Sequence, residues 1–431
     1  MAKMKITAAG DALMVKRFPE NYTGLCGVRE AITRGEFSLV NIETLFSEFD
    51  CFPSSYSGGT WVNARPDVLG DILGYGFNIC GASNNHSMDY SYGGLFSTIE
   101  TFRKYRVPYC GIGKSLEAAS EPATLENESG KLAVIAICST FNDAARAGAT
   151  AEDLPPRPGL NFLRHSKIYQ VTAEHMKALR EIADATAMNG QRELNVKTGF
   201  VVDDGTYHFG ALRFVEGVEE KIITHPNKAD VERTCESIRR AKETHDAVIV
   251  MLHCHEIRGG SFTEQADFAV EFAHACIDAG ASAIIGGGTH QLKPVEIYKD
   301  KPIFHSLGDF AFQNGSVEIL PPDFKEQYKV PINATAEEAL NARSQGGKVG
   351  LHTDIANYLS VIPYFEIEDG KVSNIRLTPI ELGFEMDDEI KGLPHIADKE
   401  SAAKILSQLR KISEEYGTVF EKDGGEIIVR I

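Results

Sequence analysis

Short apolar segments of strand length alternate with amphipathic segments of helical period, and this alternation constrains the fold more than any other feature of the chain. The strand-like segments lie at residues 4–10, 37–42, 77–82, 132–138, 247–252 and 281–285. Between them, residues 66–75, 92–105 and 229–244 have apolar side chains at the spacing that is typical of helices. Because strands that alternate with helices pair in parallel, the sequence predicts an α/β fold.

Two stretches interrupt the alternation, and we interpret both as insertions rather than separate domains. Residues 142–226 contain loop-forming segments and a helix predicted over 165–185. Residues 314–355 carry loop signals and a short helical pattern. Just before the next helical segment, the spacing of Ser261 and Glu264 matches a capping box, which predicts a helix start there.

The end of the chain is predicted to form a small extension. Residues 399–415 have a helical pattern, and residues 426–431 have the pattern of a strand. We therefore expect one domain over residues 1–382, which includes both insertions, and a C-terminal helix-strand extension over residues 383–431 that packs on it.

Charge and cysteine content limit the kinds of partner and the cellular compartment that the sequence predicts. The formal net charge is −17 and no basic stripe is present, so nucleic acid is not an expected partner. No apolar run reaches the ~18 residues of a membrane helix, and the N-terminus lacks a signal-peptide pattern, so no membrane association is expected. The eight cysteines form no C-x-x-C pair, which favours a reduced, cytoplasmic compartment. A small-molecule or peptide substrate is the expected partner, and the oligomeric state stays open.

Polar side chains follow the predicted strands at the edge where ligands bind in α/β sheets. Carboxylate, amide and imidazole groups come after five different strands, and we expect them to meet at one site. Such a mixture of oxygen and nitrogen donors suits manganese, iron or zinc better than calcium or magnesium, and one or two ions are expected. The candidate residues are Asp11, Glu43, Asn85, His86, His253, His255 and His290.

These segments, in this order, resemble the CapA (poly-γ-glutamate capsule biosynthesis) family within the calcineurin-like metallophosphoesterase superfamily. The matching motifs span residues 4–140 and 227–382. The resemblance implies a calcineurin-like metallophosphatase-type β-sandwich flanked by helices. The motifs are Gly10-Asp-Ala-Leu-Met, Val40-Asn-Ile-Glu-Thr, Asn84-Asn-His-Ser-Met-Asp, Gly286-Gly-Gly-Thr-His and Ser306-Leu-Gly-Asp.

The resemblance also implies a role for each residue. Asp11 and Glu43 match carboxylate ligands of the metals, and Asn85 matches an amide ligand. His86 matches the histidine that protonates a leaving group without binding metal. His253 and His290 match imidazole ligands. The candidate catalytic residues are His86, Asp11 and His255.

The chain departs from the superfamily pattern at positions that hold ligands. The superfamily often has histidine where this chain has Leu13, and the first histidine of a Gly-His-x-His motif is Gly288 here. Each metal site therefore lacks one ligand, which leaves three alternatives: a single metal, weak metal binding, or replacement of the ligand by His255 or Asp89. The Ser-Leu-Gly motif ends in Asp309 where asparagine is usual, and we consider Asp309 and His305 as residues that orient the ligand imidazoles.

Three functions are compatible with these residues. The first is a metal-dependent hydrolase acting on a phosphoester or a glutamate- or peptide-type substrate. The second is a metal-dependent epimerase or isomerase that abstracts an α-proton from an amino-acid or peptide carboxylate. The third is a non-catalytic component of capsule-polymer biosynthesis. The missing ligands count against the first function, which uses two metals, and are neutral for the second.

Overall fold

The structure, a computed structural model, describes residues 3–20, 22–387 and 389–431. In the first third of the chain the strands are β1 (Met4–Leu13), β2 (Phe37–Ile42), β3 (Leu45–Phe46), β4 (Asn63–Ala64), β5 (Ile79–Gly81), β6 (Tyr109–Cys110), β7 (Ile112–Gly113), β8 (Ala123–Asn127) and β9 (Gly130–Cys138). The middle third contains β10 (Gly159–Leu160), β11 (His165–Val171), β12 (Tyr207–Phe209), β13 (Leu212–Glu216), β14 (Lys221–Pro226), β15 (Ala247–Cys254) and β16 (Ala283–Gly288). The last third contains β17 (Val295–Tyr298), β18 (Lys301–Phe304), β19 (Asp309–Phe312), β20 (Leu359–Glu368), β21 (Lys371–Glu381), β22 (His395–Ile396), β23 (Phe420–Asp423) and β24 (Glu426–Val429).

Helices separate many of these strands. They are α1 (Leu25–Thr33), α2 (Val68–Gly74), α3 (Ser91–Tyr105), α4 (Leu116–Ser120), α5 (Ala173–Thr186), α6 (Gly190–Lys197), α7 (Lys228–Lys242), α8 (Asp267–Ala279), α9 (Pro322–Gln327), α10 (Ala336–Arg343) and α11 (Lys399–Ile412). Among the residues that the structure describes, no helix is both long enough and apolar enough to cross a membrane.

Two mixed sheets form the centre of the fold. In the first sheet, the strand order is β23-β24-β21-β20-β1-β2-β5-β6, and β19 lies parallel to the end of β1. Strands β1, β2, β5 and β6 are parallel, as the alternation of strands and helices predicts. The second sheet has the order β17-β18-β16-β15-β9-β8, with β9, β15, β16 and β18 in parallel. The predicted α/β class is confirmed.

The two sheets pack face to face, with helices on their outer faces. Alternate residues of each strand point to opposite faces, so one set from β1, β9 and β15 fills the space between the sheets. The other sets pack on α1, α2 and α3 outside the first sheet and on α7 and α8 outside the second. Buried residues between the sheets include Ile6, Ala8, Val134, Ala136, Ile249 and Met251.

The insertions and the end of the chain each add a layer to this sandwich. Strands β11 to β14 form a separate four-stranded sheet within the first predicted insertion. In the second, α9 and α10 pack through Phe324 and Ala339 on Trp61 and Tyr90 of the first half of the chain. Strand β24 pairs with β21, so the C-terminal strands extend the first sheet.

Two local predictions were wrong. The segment His165–Val171 is strand β11 rather than the start of a helix, because it pairs along its whole length with β14, and such long-range pairing overrides local pattern. The predicted capping box at Ser261 does not begin a helix. Helix α8 begins at Asp267, and its N-cap residue Ala266 has no side chain that could accept a hydrogen bond.

A buried carboxylate ties the first insertion to helix α7. The Asp230 side chain is fully buried and accepts hydrogen bonds from the Arg164 backbone N–H at 2.9 Å and the Arg164 Nε at 2.8 Å. It also accepts one from the Arg233 guanidinium at 2.7 Å. Because hydrogen bonds between charged groups are each worth roughly 1.5–3 kcal/mol, Asp230→Ala should lower the free energy of unfolding by about 2–4 kcal/mol.

Urea unfolding of the two matched variants measures this effect. Glu232→Ala on the same helix removes a solvent-exposed ion pair with Arg239 and should change stability by less than about 0.5 kcal/mol. Equal unfolding midpoints for Asp230→Ala and Glu232→Ala would contradict the prediction.

Candidate metal centre

The predicted site residues come together where the carboxyl ends of strands from both sheets meet. Asp11 lies inside β1, which continues three residues beyond its predicted end. The pairing of β1 with β2 shifts register between Ala8 and Asp11, and such irregularities redirect side chains next to functional sites. Glu43 directly follows β2, and His253 lies near the end of β15.

Asp11 is held by donors from three elements. Its Oδ1 accepts a hydrogen bond from Asn41 Nδ2 at 2.6 Å and lies 3.3 Å from His253 Nδ1. Its Oδ2 accepts one from the Gly288 backbone N–H at 2.6 Å. A Cβ at Gly287 would lie 2.5 Å from the carboxylate oxygens, so only glycine permits this approach. Burial alone raises the pKa of Asp11, but His253 and Asn41 outweigh burial and hold that pKa below its usual value.

Glu43 is completely buried, and neither of its carboxylate oxygens has a hydrogen-bond partner in the described part of the chain. Its Oε1 lies 3.5 Å from His253 Nε2 and 3.8 Å from His86 Nε2. Burial, together with the charges of Asp11, Asp309 and Asp89, raises the pKa of Glu43 well above its usual value. A buried carboxylate without donors is costly, so this group requires a cation or a proton.

Two imidazoles and an amide lie together near Glu43. His253 Nε2 lies 2.7 Å from Asn85 Oδ1 and 3.1 Å from His255 Nε2. The backbone N–H of His255 donates to the Thr140 hydroxyl at 2.9 Å, which fixes the start of the loop after β15. Burial, with the neighbouring His253 and other cationic groups, lowers the pKa of His255 well below its usual value, so its imidazole is neutral and able to bind a metal.

His290 and Asp309 form a second group of side chains near Glu43. His290 Nδ1 lies 3.0 Å from both oxygens of Asp309. His290 has a φ of 60°, an uncommon conformation for a residue other than glycine that is concentrated at functional sites. Burial alone lowers the pKa of His290, but Asp309 raises it above the usual value. Burial and the charge of Asp11 raise the pKa of Asp309 to about 6.

His86 stands beside Glu43 and is oriented by Asp89. His86 Nδ1 lies 2.7 Å from Asp89 Oδ2, which leaves Nε2 facing the site. Asp89 is fully buried and also accepts hydrogen bonds from the backbone N–H groups of Gly58 at 2.9 Å and Val62 at 2.8 Å. Through these bonds, Asp89 contacts His86 and the backbone of residues 58–62. It fixes the imidazole of His86.

Two sets of donors share Glu43. Within each set, the donor atoms lie within 4.8 Å of one another, a spacing at which one ion can be bound. Asp11 belongs to neither set, although it contacts His253. Such carboxylate and imidazole donors suit a divalent metal ion. The sets are Glu43, His253 and His255, and Glu43, His290 and Asp309.

The sequence motifs predict no role for Asn41 and predict the wrong role for His305. In the structure, Asn41 bridges Asp11 and His253 through one amide nitrogen. Its position two residues before Glu43, on the same face of a strand end, was the available signal. His305 does not orient a ligand imidazole, because its Nε2 contacts Glu296 at 3.1 Å, away from the donor sets.

The fold and these convergent donors define a mixed α/β protein with a candidate centre for divalent metal ions. The chain belongs to the family described as bacterial capsule synthesis protein PGA_cap, whose model matches residues 5–314. The resemblance to the CapA family predicted from the motifs is thereby confirmed.

The relatives cover different shares of the chain. It is 30% identical to the protein y4sH of Sinorhizobium fredii over 96% of this chain and 90% of that protein. It is 25% identical to a probable polyglutamine synthesis accessory protein of Mycobacterium tuberculosis, over 64% of this chain and 56% of the relative. The PGA biosynthesis protein CapA of Bacillus subtilis is 24% identical over 56% of this chain and 43% of its own length. A solved structure, titled "GAP50 the anchor in the inner membrane complex of Plasmodium", aligns over 96% of both chains with 9% identity and a TM-score of 0.27, which is too low to bear on the fold.

Proposed function

We propose that this protein is a metal-dependent hydrolase with a calcineurin-like metallophosphatase-type fold. The observation that carries the proposal is Glu43, a fully buried carboxylate with no hydrogen-bond donor on either oxygen, placed between two sets of donors. Two face-to-face mixed sheets with helices outside, and donors at their strand ends, support the fold assignment. The expected substrate is a phosphoester or a glutamate- or peptide-type molecule.

In this proposal, His255 and Asp309 take the places of the two ligands that the superfamily pattern has and this chain lacks. The chain has no histidine at Leu13, but His255 lies 3.1 Å from His253 and faces Glu43. It has no histidine at Gly288, but Asp309 lies beside His290 in the second donor set. Each set then offers three side chains, which supports a pair of metals with Glu43 between them.

Different residues of the chain would perform different steps of hydrolysis. A divalent metal bound at these donors supplies Lewis acidity. Asn41 and Gly288 hold Asp11 in place, and Asp11 in turn lies against His253. With Nδ1 on Asp89, His86 presents Nε2 to the site and can give a proton from that atom to the leaving oxygen while water adds to the substrate.

The other two functions receive less support. The missing ligands count against the hydrolase and are neutral for the epimerase, and the positions of His255 and Asp309 weaken that argument against the hydrolase. The non-catalytic hypothesis takes its support from the printed names of relatives, which concern capsule and polyglutamine synthesis. The division into residues 1–382 and 383–431, the cytoplasmic location and the substrate remain predictions from the sequence.

Addition of manganese or zinc to metal-free protein should raise its melting temperature. At a free metal concentration 100-fold above the dissociation constant, the native state gains about 2.7 kcal/mol. For a chain of this length, that gain corresponds to roughly 3 °C. Differential scanning calorimetry of chelator-treated protein, with and without each metal, measures the shift, and an unchanged melting temperature with manganese, iron and zinc would contradict the metal centre.

The metal-loaded protein also decides between the two enzymatic readings. A hydrolase should release phosphate or a phosphate monoester from at least one member of a phosphoester panel, or free glutamate from at least one member of a panel of glutamyl peptides. An epimerase should leave both panels intact and instead exchange solvent deuterium into the α-position of an amino-acid or peptide carboxylate. Neither reaction in a protein that binds metal would favour the non-catalytic role.

A further inference from the structure

The second insertion delivers an arginine to the segment that lies against His86. Helix α10 begins with a capping box between Thr335 and Glu338 and ends at Arg343. The half-buried guanidinium of Arg343 donates a hydrogen bond to the Thr60 hydroxyl. Within residues 3–20, 22–387 and 389–431, no carboxylate lies within 4.0 Å of that guanidinium. The arginine is thus positioned without a charge partner from the described chain.

Thr60 belongs to a segment that touches the proposed general acid directly. The Gly58 and Val62 N–H groups both donate to Asp89, the same carboxylate that holds His86 Nδ1. The Gly58 carbonyl accepts a hydrogen bond from Asn85 Nδ2 at 2.9 Å. A Cβ at Gly58 would lie 2.8 Å from His86 Nδ1, which shows how closely the backbone approaches the imidazole. Arg343 is therefore connected to His86 through Thr60 and the segment that binds Asp89.

The helix that carries the arginine is held in place by packing. Ala339 and Phe324 of the second insertion are fully buried, and Trp61 next to Thr60 packs edge-to-face on Phe324. The Trp61 indole N–H donates to the Ser54 carbonyl at 2.9 Å. Helix α10 is thus docked on the segment that carries Thr60. Ordering the Arg343 side chain around a ligand would therefore cost little free energy.

We propose that Arg343 binds an oxyanion, either a carboxylate or a phosphate, on the leaving portion of the substrate. This proposal rests on the proposed hydrolase function, in which His86 faces the leaving group. A guanidinium presents five N–H donors in a plane, and its single bond to Thr60 leaves a pair for bidentate binding of an oxyanion. The substrate class is accordingly an ester or related compound whose released part carries a second negative charge.

A set of aryl phosphates that differ only in the leaving aryl group tests this assignment. The substituent is neutral, a carboxylate or a phosphonate, and kcat/KM is measured with manganese-loaded protein. The wild type should prefer the charged compounds. In Arg343→Gln, which keeps a donor for Thr60 but loses the charge, the ratio of charged to neutral kcat/KM should fall roughly 10-fold or more, mainly through KM. The carboxylate and phosphonate arms show which oxyanion is preferred.

Lys325→Gln is the matched control, since it removes a positive charge from α9 of the same insertion, where Lys325 donates to the Ile332 carbonyl. This variant should keep the wild-type ratio. Equal losses on charged and neutral compounds in Arg343→Gln would assign Arg343 a structural role and overturn the proposal, as would an unchanged ratio. Binding of the released phenols is measured by calorimetry in parallel. If no phosphate is hydrolysed, the phosphoester hydrolase function fails, while tighter binding of the charged phenol to the wild type than to Arg343→Gln still supports the oxyanion site, and equal binding overturns it.

Discussion

Glu43→Gln is expected to abolish metal binding and activity while making the metal-free protein more stable. The amide has nearly the same shape but no charge, so it no longer repels the buried carboxylates of Asp11, Asp89 and Asp309. The same change removes the one side chain common to both donor sets. Because metal Lewis acidity is worth several kcal/mol in the transition state, turnover should fall roughly 10³-fold or more.

Calorimetry and elemental analysis separate the two effects. Metal-free Glu43→Gln should melt a few degrees above metal-free wild type, show no further rise on addition of manganese, and contain no stoichiometric metal. Glu48→Gln is the control, because Glu48 is exposed and pairs with exposed Arg65. A Glu43→Gln protein that binds metal and turns over substrate like this control would refute the metal centre as assigned.

His86→Ala should slow hydrolysis in proportion to how much the leaving group needs a proton. General acid catalysis contributes about 10²–10⁴-fold, and a leaving group that departs as a stable anion gains little from it. Turnover of alkyl phosphates should therefore fall within that range, whereas turnover of nitrophenyl phosphates should fall far less. A plot of log kcat/KM against leaving-group pKa should be steeper for His86→Ala than for the wild type.

His175→Ala serves as the control for this experiment, since His175 is exposed in the first insertion and contacts Glu220 there. Its plot should coincide with that of the wild type. A uniform loss across all leaving groups in His86→Ala would instead mean that the imidazole holds the site together, and the general-acid role would be withdrawn.

The sequence predicted which residues meet because it placed polar side chains at the ends of apolar strands. Asp11 and His253 lie in the last residues of β1 and β15, and Glu43 and Asn85 follow β2 and β5, so parallel strands direct all four to one edge. It could not decide whether His255 faces this edge, since the direction of a side chain past a strand end depends on the loop that follows. That loop is set by Thr140, more than a hundred residues away.

Asp309 shows a second limit of sequence reasoning. In the motif it is only an aspartate where asparagine is usual, and nothing local connects it to His290. Their contact exists because β19 returns to pair in parallel with the end of β1, with Asp309 opposite Asp11. The helix predicted where the structure has β11 is wrong for the same reason, since the partner strand β14 lies about fifty residues further along the chain. Long-range pairing decides both cases, and the local pattern does not encode it.

The site draws its donors from both halves of the sandwich. Asp11 and Asp309 lie in strands of the first sheet and Glu43 directly follows one, whereas His253 lies near the end of a strand of the second sheet and His290 follows another. An ion shared by these groups would act as a reversible, non-covalent cross-link across the interface between the sheets. Each sheet retains an outer core of its own, packed on its own helices. The rigidity of the joint between the two sheets would then depend on the supply of metal, much as a disulfide depends on the redox state of its surroundings.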